Sequence, residues 1–218
     1  GYKLTSNFEQ SANGLYAFAK KDGRDYFVKA FSKPKIPKAK GLSPKLIKKK
    51  RDACDKFKNN YLQIIDTFKK NLNLENGQLN VPIYFCSGGS TFFQFSNKTE
   101  IAHTNPLEIA KYNNDIKIVL IKSVINAVSL IHMNKVVHSD LKFDNILIKK
   151  TKSGLLTTKI IDFDGSYIEH IPHPTNYLHF DQSYMAPELS LYNQKHNSIK
   201  SKDLTTKADI FSLGVVIH

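Results

Sequence analysis

The sequence predicts an α+β protein built from two lobes with a cleft between them. Strand patterns and one long helical pattern fill the first half of the chain, and mostly helical patterns fill the second half. A length of 218 residues is enough for one large domain or for two small lobes with a hydrophobic core. Hydrophobic residues make up 41% of the chain and charged residues 23%, which is typical of a globular rather than a disordered protein.

The first half alternates short strands with one long helix. Residues 7–31 predict strands with tight turns, because NGLYAFAKKDGRDYFVKAF has two aromatic and β-branched runs around Lys-Asp-Gly, a hairpin pattern. SPKLIKKKRDACDKFKNNYLQIIDTFKK predicts a helix that Ser43 caps and Pro44 opens. VPIYFCSGG and STFFQFS predict a second strand pair joined at Gly88-Gly89. One buried stripe is predicted along the helix: Ala53, Phe57, Tyr61, Ile64 and Phe68.

The second half is mainly helical. DIKIVLIKSVINAVSLIHMNK predicts a helix that is apolar on most faces and therefore deeply buried. NILIKK and TTKIIDF predict two short strands around a Ser-Gly turn, and KADIFSLGVVIH begins a last helix. No run of eighteen apolar residues occurs, so no transmembrane segment is predicted. We expect lobes of residues 1–97 and 98–218, with a basic insertion at about 33–51.

The net charge of +13 invites comparison with nucleic-acid-binding proteins, but its composition argues against that class. Only Arg24 and Arg51 among 32 basic residues are arginine, whereas phosphate-binding proteins favour the arginine fork, so we expect no specific nucleic-acid partner. The Lys-rich segment 33–51 is a candidate docking site for an acidic partner or a membrane surface. Cys54 and Cys86 cannot form a disulfide framework and lack metal-ligand spacing, which favours a reducing, cytoplasmic compartment.

Polar residues gather in HSDLKFDN, residues 138–145, between two apolar segments. Phosphoryl transfer from ATP needs a carboxylate that orients and deprotonates the attacking hydroxyl, oxygen ligands for Mg²⁺, and cations near the phosphates. Asp140 is able to supply the carboxylate, and Lys142, two residues later, points the same way on an extended segment. Asn145 and Asp162 are able to hold Mg²⁺, one from each arm of a short hairpin.

The chain resembles the eukaryotic-type protein kinase domain at four motifs in the family's order. HSDLKFDN is similar to the catalytic loop, IIDFDG to the magnesium loop, YMAPE to the end of the activation segment, and DIFSLG to the buried helix that follows. The lysine two residues after the catalytic aspartate is the serine/threonine form. The resemblance extends from about Asn7 to the last residue. It implies a two-lobed kinase fold with an incomplete C-lobe, acting with ATP and Mg²⁺ on a protein substrate.

The resemblance implies a role for each matching residue. Asp140 would be the catalytic base, and Lys142 would contact the γ-phosphate. Asn145 and Asp162 would each bind Mg²⁺. Lys29, in the strand pattern YFVKA, would contact the α- and β-phosphates of ATP from the other lobe.

Three further residues would support the site according to the same resemblance. His138 and Phe163 would pack beneath it, and Asp209 would hydrogen-bond the backbone of the catalytic loop. The apolar helix before that loop would be the central support of the second lobe.

The chain departs from the family pattern at several positions. Ser139 stands where the family has an arginine that pairs with a phosphorylated activation loop, so we expect activity without loop phosphorylation. Asp164 replaces the glycine of the magnesium loop, and Asp181 replaces a threonine that helps mark serine/threonine substrates. Gly14 is the one glycine of QSANGLYAFA, where the family has three; a turn role and a phosphate-binding role are equally open for it.

The sequence leaves the partner of Lys29 and two other functions open. No glutamate occurs between Phe31 and Leu74, so Asp55 and Asp66 are the candidate partners on the long helix. The missing glutamate keeps a pseudokinase or scaffold as an alternative. A small-molecule phosphotransferase of the aminoglycoside or choline type is a third hypothesis, because IDFD is similar to a strand end of those enzymes.

Overall fold

The structure is a computed structural model, and its described residues fall into two compact units. The first unit is Gly1–Leu62 with Val81–Thr99, and the second is Gln63–Asn80 with Glu100–His218. The lobe boundary between residues 97 and 98 stays a prediction. The structure describes residues 1–11, 14–38, 41–72, 77–102, 106–151, 153–172 and 181–218.

The first unit contains an antiparallel sheet of six strands. In chain order these are β1 (Lys3–Leu4), β2 (Glu9–Ser11), β3 (Gly14–Lys21), β4 (Arg24–Phe31), β5 (Tyr84–Gly88) and β6 (Thr91–Asn97). Their order across the sheet is β1, β3, β4, β6 and β5, and β2 pairs with β3. Both predicted strand pairs are confirmed. Asp22 and Gly23 join β3 to β4 with φ angles of 50° and 76°, which glycine and aspartate adopt at low cost.

The predicted long helix is α1 (Pro44–Asn71), and it begins as expected. The Leu46 N–H donates to Ser43 Oγ at 3.4 Å, so Ser43 caps the first turn. Within the first unit, Phe57 and Tyr61 of α1 pack their rings against Phe31 of β4, with centroids 5.1 and 5.4 Å apart. The predicted stripe is confirmed at four positions that are buried, whereas Ala53 is half-buried: Phe57, Tyr61, Ile64 and Phe68.

The second unit is mainly helical, with two short antiparallel strand pairs. Its elements are α2 (Pro106–Ala110), α3 (Asn114–Met133), β7 (Val136–Val137), β8 (Ile146–Lys150), β9 (Leu156–Ile160), β10 (Tyr167–Ile168), α4 (Pro187–Asn193) and α5 (Lys207–Ile217). The predicted pair β8–β9 and the predicted final helix α5 are both confirmed. A further pair, β7 with β10, was not predicted, because two-residue strands carry no periodic pattern.

The prediction that α3 is deeply buried is wrong. Three of its apolar side chains, Ile118, Val119 and Ile125, are 48%, 50% and 44% exposed. Among the described residues, α3 contacts β7, β9 and α5, which cover one side of it. An apolar composition on most faces does not reveal how many elements pack against a helix. The buried side is formed by Leu120, Val124, Ala127, Val128 and Ile131.

By length and composition, α3 is also the one helix in the described part of the chain that would be able to cross a membrane. The criterion of an uninterrupted apolar run missed it, because Lys117 and Lys122 interrupt the run. Core helices of globular proteins meet the same length and composition criteria. The five buried residues of α3 lie on one side of the helix and pack within the second unit.

Candidate active site

A buried aspartate of α5 holds the backbone of loop 138–145. Asp209 is 0% exposed, and it accepts hydrogen bonds from the backbone N–H of His138 at 2.7 Å and of Ser139 at 2.8 Å. The same carboxylate lies 2.9 Å from Nε2 of His132 on α3. Ser139 has a φ of 68°, which is uncommon for a residue other than glycine, and the two hydrogen bonds help to hold it there. The predicted supporting role of Asp209 is confirmed.

His138 is fully buried beneath the loop, and both of its ring nitrogens have hydrogen-bond partners. Its Nδ1 accepts a hydrogen bond from the Asp140 N–H at 3.3 Å, so its Nε2 carries the proton and donates to the Ile161 carbonyl at 3.0 Å. The imidazole centroid lies 5.1 Å from that of the Phe163 ring, and Phe163 lies 5.2 Å from Phe68. The predicted packing role of His138 and Phe163 is confirmed.

The structure brings three of the predicted site residues together around one carboxylate. Lys142 Nζ lies 3.1 Å from Asp140 Oδ2. The Asn145 amide donates to the same oxygen at 3.1 Å and to the Asp140 backbone carbonyl at 2.8 Å. Asp140 is 8% exposed and Asn145 is 5% exposed, so these bonds are largely protected from water. A carboxylate fixed beside a cation is suited to accept a proton from a hydroxyl next to a charged group.

Asn145 and Asp162 lie at the adjoining ends of β8 and β9. The Ile161 N–H donates to the Asn145 carbonyl at 3.0 Å, which places the next residue, Asp162, close to Asn145. The Asn145 amide nitrogen is used by Asp140, and no described residue donates a hydrogen bond to its Oδ1. That amide oxygen and the Asp162 carboxylate are the ligand types that Mg²⁺ prefers. The residues present therefore fit a Mg²⁺ ion.

Two hydroxyl groups tie loop 138–145 to the segment after Asp162. Ser139 Oγ donates to the Gly165 carbonyl at 2.7 Å, and Ser166 Oγ donates to the His138 carbonyl at 3.1 Å. The left-handed residue of this segment is Asp162, with a φ of 66°. Asp164 is not among the residues with positive φ. The aspartate in place of the expected glycine is therefore compatible with the backbone.

Lys29 belongs to the first unit, where it is buried at 6% exposure on β4. Its cross-strand neighbours are Tyr16 on β3 and Gln94 on β6. Gln94 accepts a hydrogen bond from the Tyr61 hydroxyl of α1. The aliphatic and aromatic surroundings include Phe31, whose ring centroid lies 5.9 Å from Lys29 Nζ.

The helix α1 presents Tyr61, rather than a carboxylate, to the strand next to β4. Asp55 and Asp66, the candidate partners of Lys29, are both exposed on α1, so neither lies on its buried face. Tyr61 belongs to the predicted core stripe, but its hydrogen bond to Gln94 was not predicted. A glutamine at an inward-facing strand position was the signal that a polar partner would be found there.

Gly14 begins β3 with a φ of 150°. A Cβ at this position would lie 2.5 Å from the Ala30 carbonyl oxygen of the paired strand. Any side chain would therefore push β3 and β4 apart, and the close approach of the strands is reason enough for a glycine here. A contact between Gly14 and phosphate stays a prediction.

Comparisons with known proteins agree with the motifs. The model of the protein kinase domain family matches residues 11–218. The probable serine/threonine-protein kinase fnkE of Dictyostelium discoideum is 36% identical over 102 residues, which are 46% of this chain and 7% of that protein. The CDPK-related protein kinase of Daucus carota is 26% identical over 196 residues, which are 90% of this chain and 28% of that protein. The human dual specificity tyrosine-phosphorylation-regulated kinase 3 is 33% identical over 96 residues, which are 44% of this chain and 14% of that protein.

The matched stretches are between 7% and 28% of the full lengths of these relatives. The activities and substrates of such longer proteins therefore do not transfer directly. The family model, in contrast, matches all of this chain except its first ten residues. On that match, this chain belongs to the protein kinase domain family.

Proposed function

We propose that this protein is an active, ATP- and Mg²⁺-dependent kinase that transfers the γ-phosphate to serine and threonine hydroxyls of a protein substrate. The observation that carries the proposal is the Asp140 carboxylate, held by Lys142 and Asn145 in a loop that Asp209 fixes. Phosphoryl transfer depends mainly on positioning and on charge, so the protein must provide a rigid carboxylate next to a cation.

Each residue has one task in the proposed reaction. Asp140 accepts the proton of the attacking hydroxyl while that oxygen bonds to the γ-phosphorus and the bond to the ADP oxygen breaks. Lys142 neutralises negative charge on the transferred group. Lys29 binds the α- and β-phosphates of ATP, and the backbone at Gly14 approaches the phosphates.

Asn145 and Asp162 would hold Mg²⁺ through the amide oxygen and the carboxylate described above. Bound Mg²⁺ neutralises phosphate charge and orients the transferred group. The Asn145 amide would then have two tasks, since its nitrogen holds Asp140 and its oxygen would be a ligand of the metal. Replacing Asn145 would therefore disturb both the base and the metal.

Two observations support protein serine and threonine hydroxyls as acceptors. Lys142 follows Asp140 by two residues, which is the serine/threonine form of the resemblance. Relatives in Dictyostelium discoideum and Plasmodium falciparum carry the name serine/threonine-protein kinase. The match to the protein kinase domain family favours protein acceptors over the small molecules of the third hypothesis.

The proposal is tested by phosphate transfer from labelled ATP to a protein substrate such as casein. We expect wild-type transfer that EDTA abolishes and that Asp140→Asn reduces about 10²- to 10⁴-fold, the usual contribution of a general base. The matched control is Asp144→Asn, an exposed aspartate of the same loop, which should keep wild-type turnover. Phosphoamino-acid analysis should find phosphoserine and phosphothreonine.

An Asp140→Asn variant that transfers phosphate as fast as the wild type would contradict the proposal. Label found only on tyrosine would contradict the acceptor class while leaving the kinase intact.

One observation favours the pseudokinase or scaffold as a second candidate. No glutamate occurs between Phe31 and Leu74, so the long helix lacks the residue type that the family carries there. A pseudokinase would give no transfer in either wild type or Asp140→Asn, while folding normally. Mg²⁺-dependent transfer by the wild type alone excludes it.

We also propose that the protein is located in the cytoplasm, which is a reducing compartment. Cys54 is a buried free thiol and Cys86 a half-buried one, and burial raises the pKa of both. Thiols of this kind react slowly with oxidants. Microscopy of a tagged protein checks the location, and a secreted or lumenal pool would contradict it.

A further inference from the structure

Asp181 opens a tight turn and uses its own carboxylate to stabilise it. The Ser183 N–H donates to Asp181 Oδ1 at 3.0 Å, and the Tyr184 N–H donates to the Asp181 carbonyl at 3.2 Å. An aspartate that accepts a hydrogen bond from the N–H two residues later forms an Asx turn. The conformation of residues 181–184 therefore depends on a side-chain oxygen at position 181.

The other end of this turn is attached to α5. Ser212 of α5 is 3% exposed, and its hydroxyl lies 2.7 Å from the Tyr184 carbonyl and 3.2 Å from the Ala208 carbonyl. A hydroxyl has one proton to donate, and the shorter distance assigns that proton mainly to Tyr184. Asp209 lies three residues before Ser212, so both project from the same side of the helix. One face of α5 thus holds loop 138–145 through Asp209 and the turn through Ser212.

The turn directs the Asp181 N–H at the Asp140 carboxylate. The nitrogen lies 3.5 Å from Asp140 Oδ1. Lys142 and Asn145 both contact the other oxygen, Oδ2. Among the described residues, the Asp181 N–H is thus the one donor directed at Oδ1.

A donor at Oδ1 matters because the terminal torsion of an aspartate is broad. Lys142 and Asn145 restrain this torsion through Oδ2, and a donor at Oδ1 restrains it further from the other side of the carboxylate. Catalytic hydrogen bonds are often long in a structure without substrates and shorten in the reacting complex. The hydrogen bond of 3.5 Å from the Asp181 N–H is therefore suited to shorten when the substrates are bound.

We propose that Asp181 is a positioning residue for the base, and that it acts through its turn rather than through its charge. The Asx turn presents the Asp181 N–H to Asp140 Oδ1, and Ser212 keeps the turn in place. The inference rests on the proposed kinase function and adds a residue that controls the orientation of its base.

The test compares variants that separate the turn from the charge. Asp181→Ala removes both, whereas Asp181→Asn keeps a side-chain oxygen that accepts the Ser183 N–H. We expect Asp181→Ala to lower kcat about tenfold or more, because small displacements of a reacting group are costly, with the KM for ATP unchanged. Asp181→Asn should rescue most of that loss. Ser212→Ala should lower kcat in the same way, and Ser212→Thr should restore it.

Two controls separate positioning from unfolding. Ser183→Ala keeps the backbone N–H that the turn uses and should retain wild-type kcat. Thermal melting of each variant identifies loss of the fold. Equal losses of kcat in Asp181→Asn and Asp181→Ala would overturn the inference, because charge would then be the cause. A wild-type kcat in Asp181→Ala would overturn it as well.

A second measurement does not depend on activity. Amide hydrogen exchange should be slow at Ser183 and Tyr184 in the wild type, fast in Asp181→Ala, and slow again in Asp181→Asn. If this exchange pattern is observed but the wild type transfers no phosphate, the kinase proposal is refuted. The turn is then established without a catalytic role. Fast exchange at Ser183 in the wild type would refute the turn itself.

Discussion

At the residue scale, Lys159 of β9 is a cation that the fold buries. Its side chain is 7% exposed, and burial, with a smaller contribution from Lys149, lowers its pKa from 10.5 to about 8. A lysine whose pKa is lower in the folded than in the unfolded state destabilises the fold at neutral pH. This cost disappears as the pH rises from the folded pKa to the unfolded one.

We therefore expect Lys159→Met to stabilise the protein at neutral pH by up to about 3 kcal/mol, because each pKa unit of the shift from 10.5 to about 8 represents about 1.4 kcal/mol. Urea unfolding at neutral pH, and again above the pKa of free lysine, measures this change. The advantage of the variant should shrink at the alkaline pH. Lys150→Met, at an exposed position on β8, is the matched control and should have little effect. A loss of stability in Lys159→Met would contradict the prediction.

The site residues that were predictable from the sequence are those that lie close together in the chain. Asp140, Lys142 and Asn145 lie within one loop, and their distances to each other follow from that short span. Lys159 and Asp181 had no such signal. The burial of Lys159 depends on elements distant in the chain, and the Asp181 contact is made by a backbone N–H, which every residue except proline has.

At the element scale, α5 carries the residues that hold the site, and Glu169 caps its first turn. Glu169 Oε1 accepts from the Thr206 N–H at 3.1 Å and lies 3.3 Å from Thr206 Oγ1. The Thr206 N–H, and to a smaller degree Lys135, lowers the pKa of Glu169. A carboxylate whose folded pKa is lowered stabilises the fold above its unfolded pKa. That contribution is lost as the pH falls through the folded pKa.

We expect Glu169→Ala to lower the free energy of unfolding by about 1 kcal/mol at neutral pH, which is typical for a lost helix cap. The difference from the wild type should become smaller in acid, below the pKa of a free glutamate. Denaturant unfolding at the two pH values measures it. Glu100→Ala, at an exposed position, is the control. A difference that grows in acid would contradict the expected direction of this pH dependence.

The first two turns of α1 are rich in lysine and arginine. The first turn of this helix contains no acidic residue, and its first eight residues include five exposed cations. Successive helical residues point 100° apart, so these cations surround the helix. A flexible acidic chain is able to wrap around the helix and contact more of these cations than a flat anionic surface would contact. The cations are Lys45, Lys48, Lys49, Lys50 and Arg51.

We propose that this segment binds an acidic polypeptide, as the sequence predicts for residues 33–51. Replacing Lys48, Lys49, Lys50 and Arg51 by glutamine should weaken binding of labelled polyglutamate about tenfold or more, and added salt should weaken wild-type binding. Fluorescence anisotropy measures both. The control replaces four exposed lysines elsewhere and changes the net charge equally: Lys122, Lys195, Lys202 and Lys207. An equal loss in both variants would show that net charge alone is responsible.

Elements with strong periodic patterns were predictable, and so was the buried stripe of α1, but the burial of α3 was not. The hairpin of β3 and β4, the helix α1 and the pair β8–β9 follow from alternation, helical spacing and turn residues. The exposure of α3 was not predictable from the sequence, because an apolar helix face does not indicate which elements will cover it.

At the scale of the whole molecule, the α+β class followed from the order of the elements. Strands and a long helix precede a mainly helical part, and the structure has two compact units of this kind. The exact limits of the units did not follow. The unit limit between Leu62 and Gln63 falls inside α1, where no linker composition marks it.

The claim that joins these scales is that loop 138–145 and the segment at Asp162 form a Mg²⁺–nucleotide site. Thermal melting with ATP, in Mg²⁺ and in EDTA, tests it most directly on the wild type, Asp162→Ala and the exposed-position control Asp115→Ala. We predict a rise in Tm with ATP and Mg²⁺ in the wild type and the control, with no rise in EDTA or in Asp162→Ala. A folded wild type whose Tm does not change with ATP and Mg²⁺, or an Asp162→Ala variant that shifts as the wild type does, would contradict the claim.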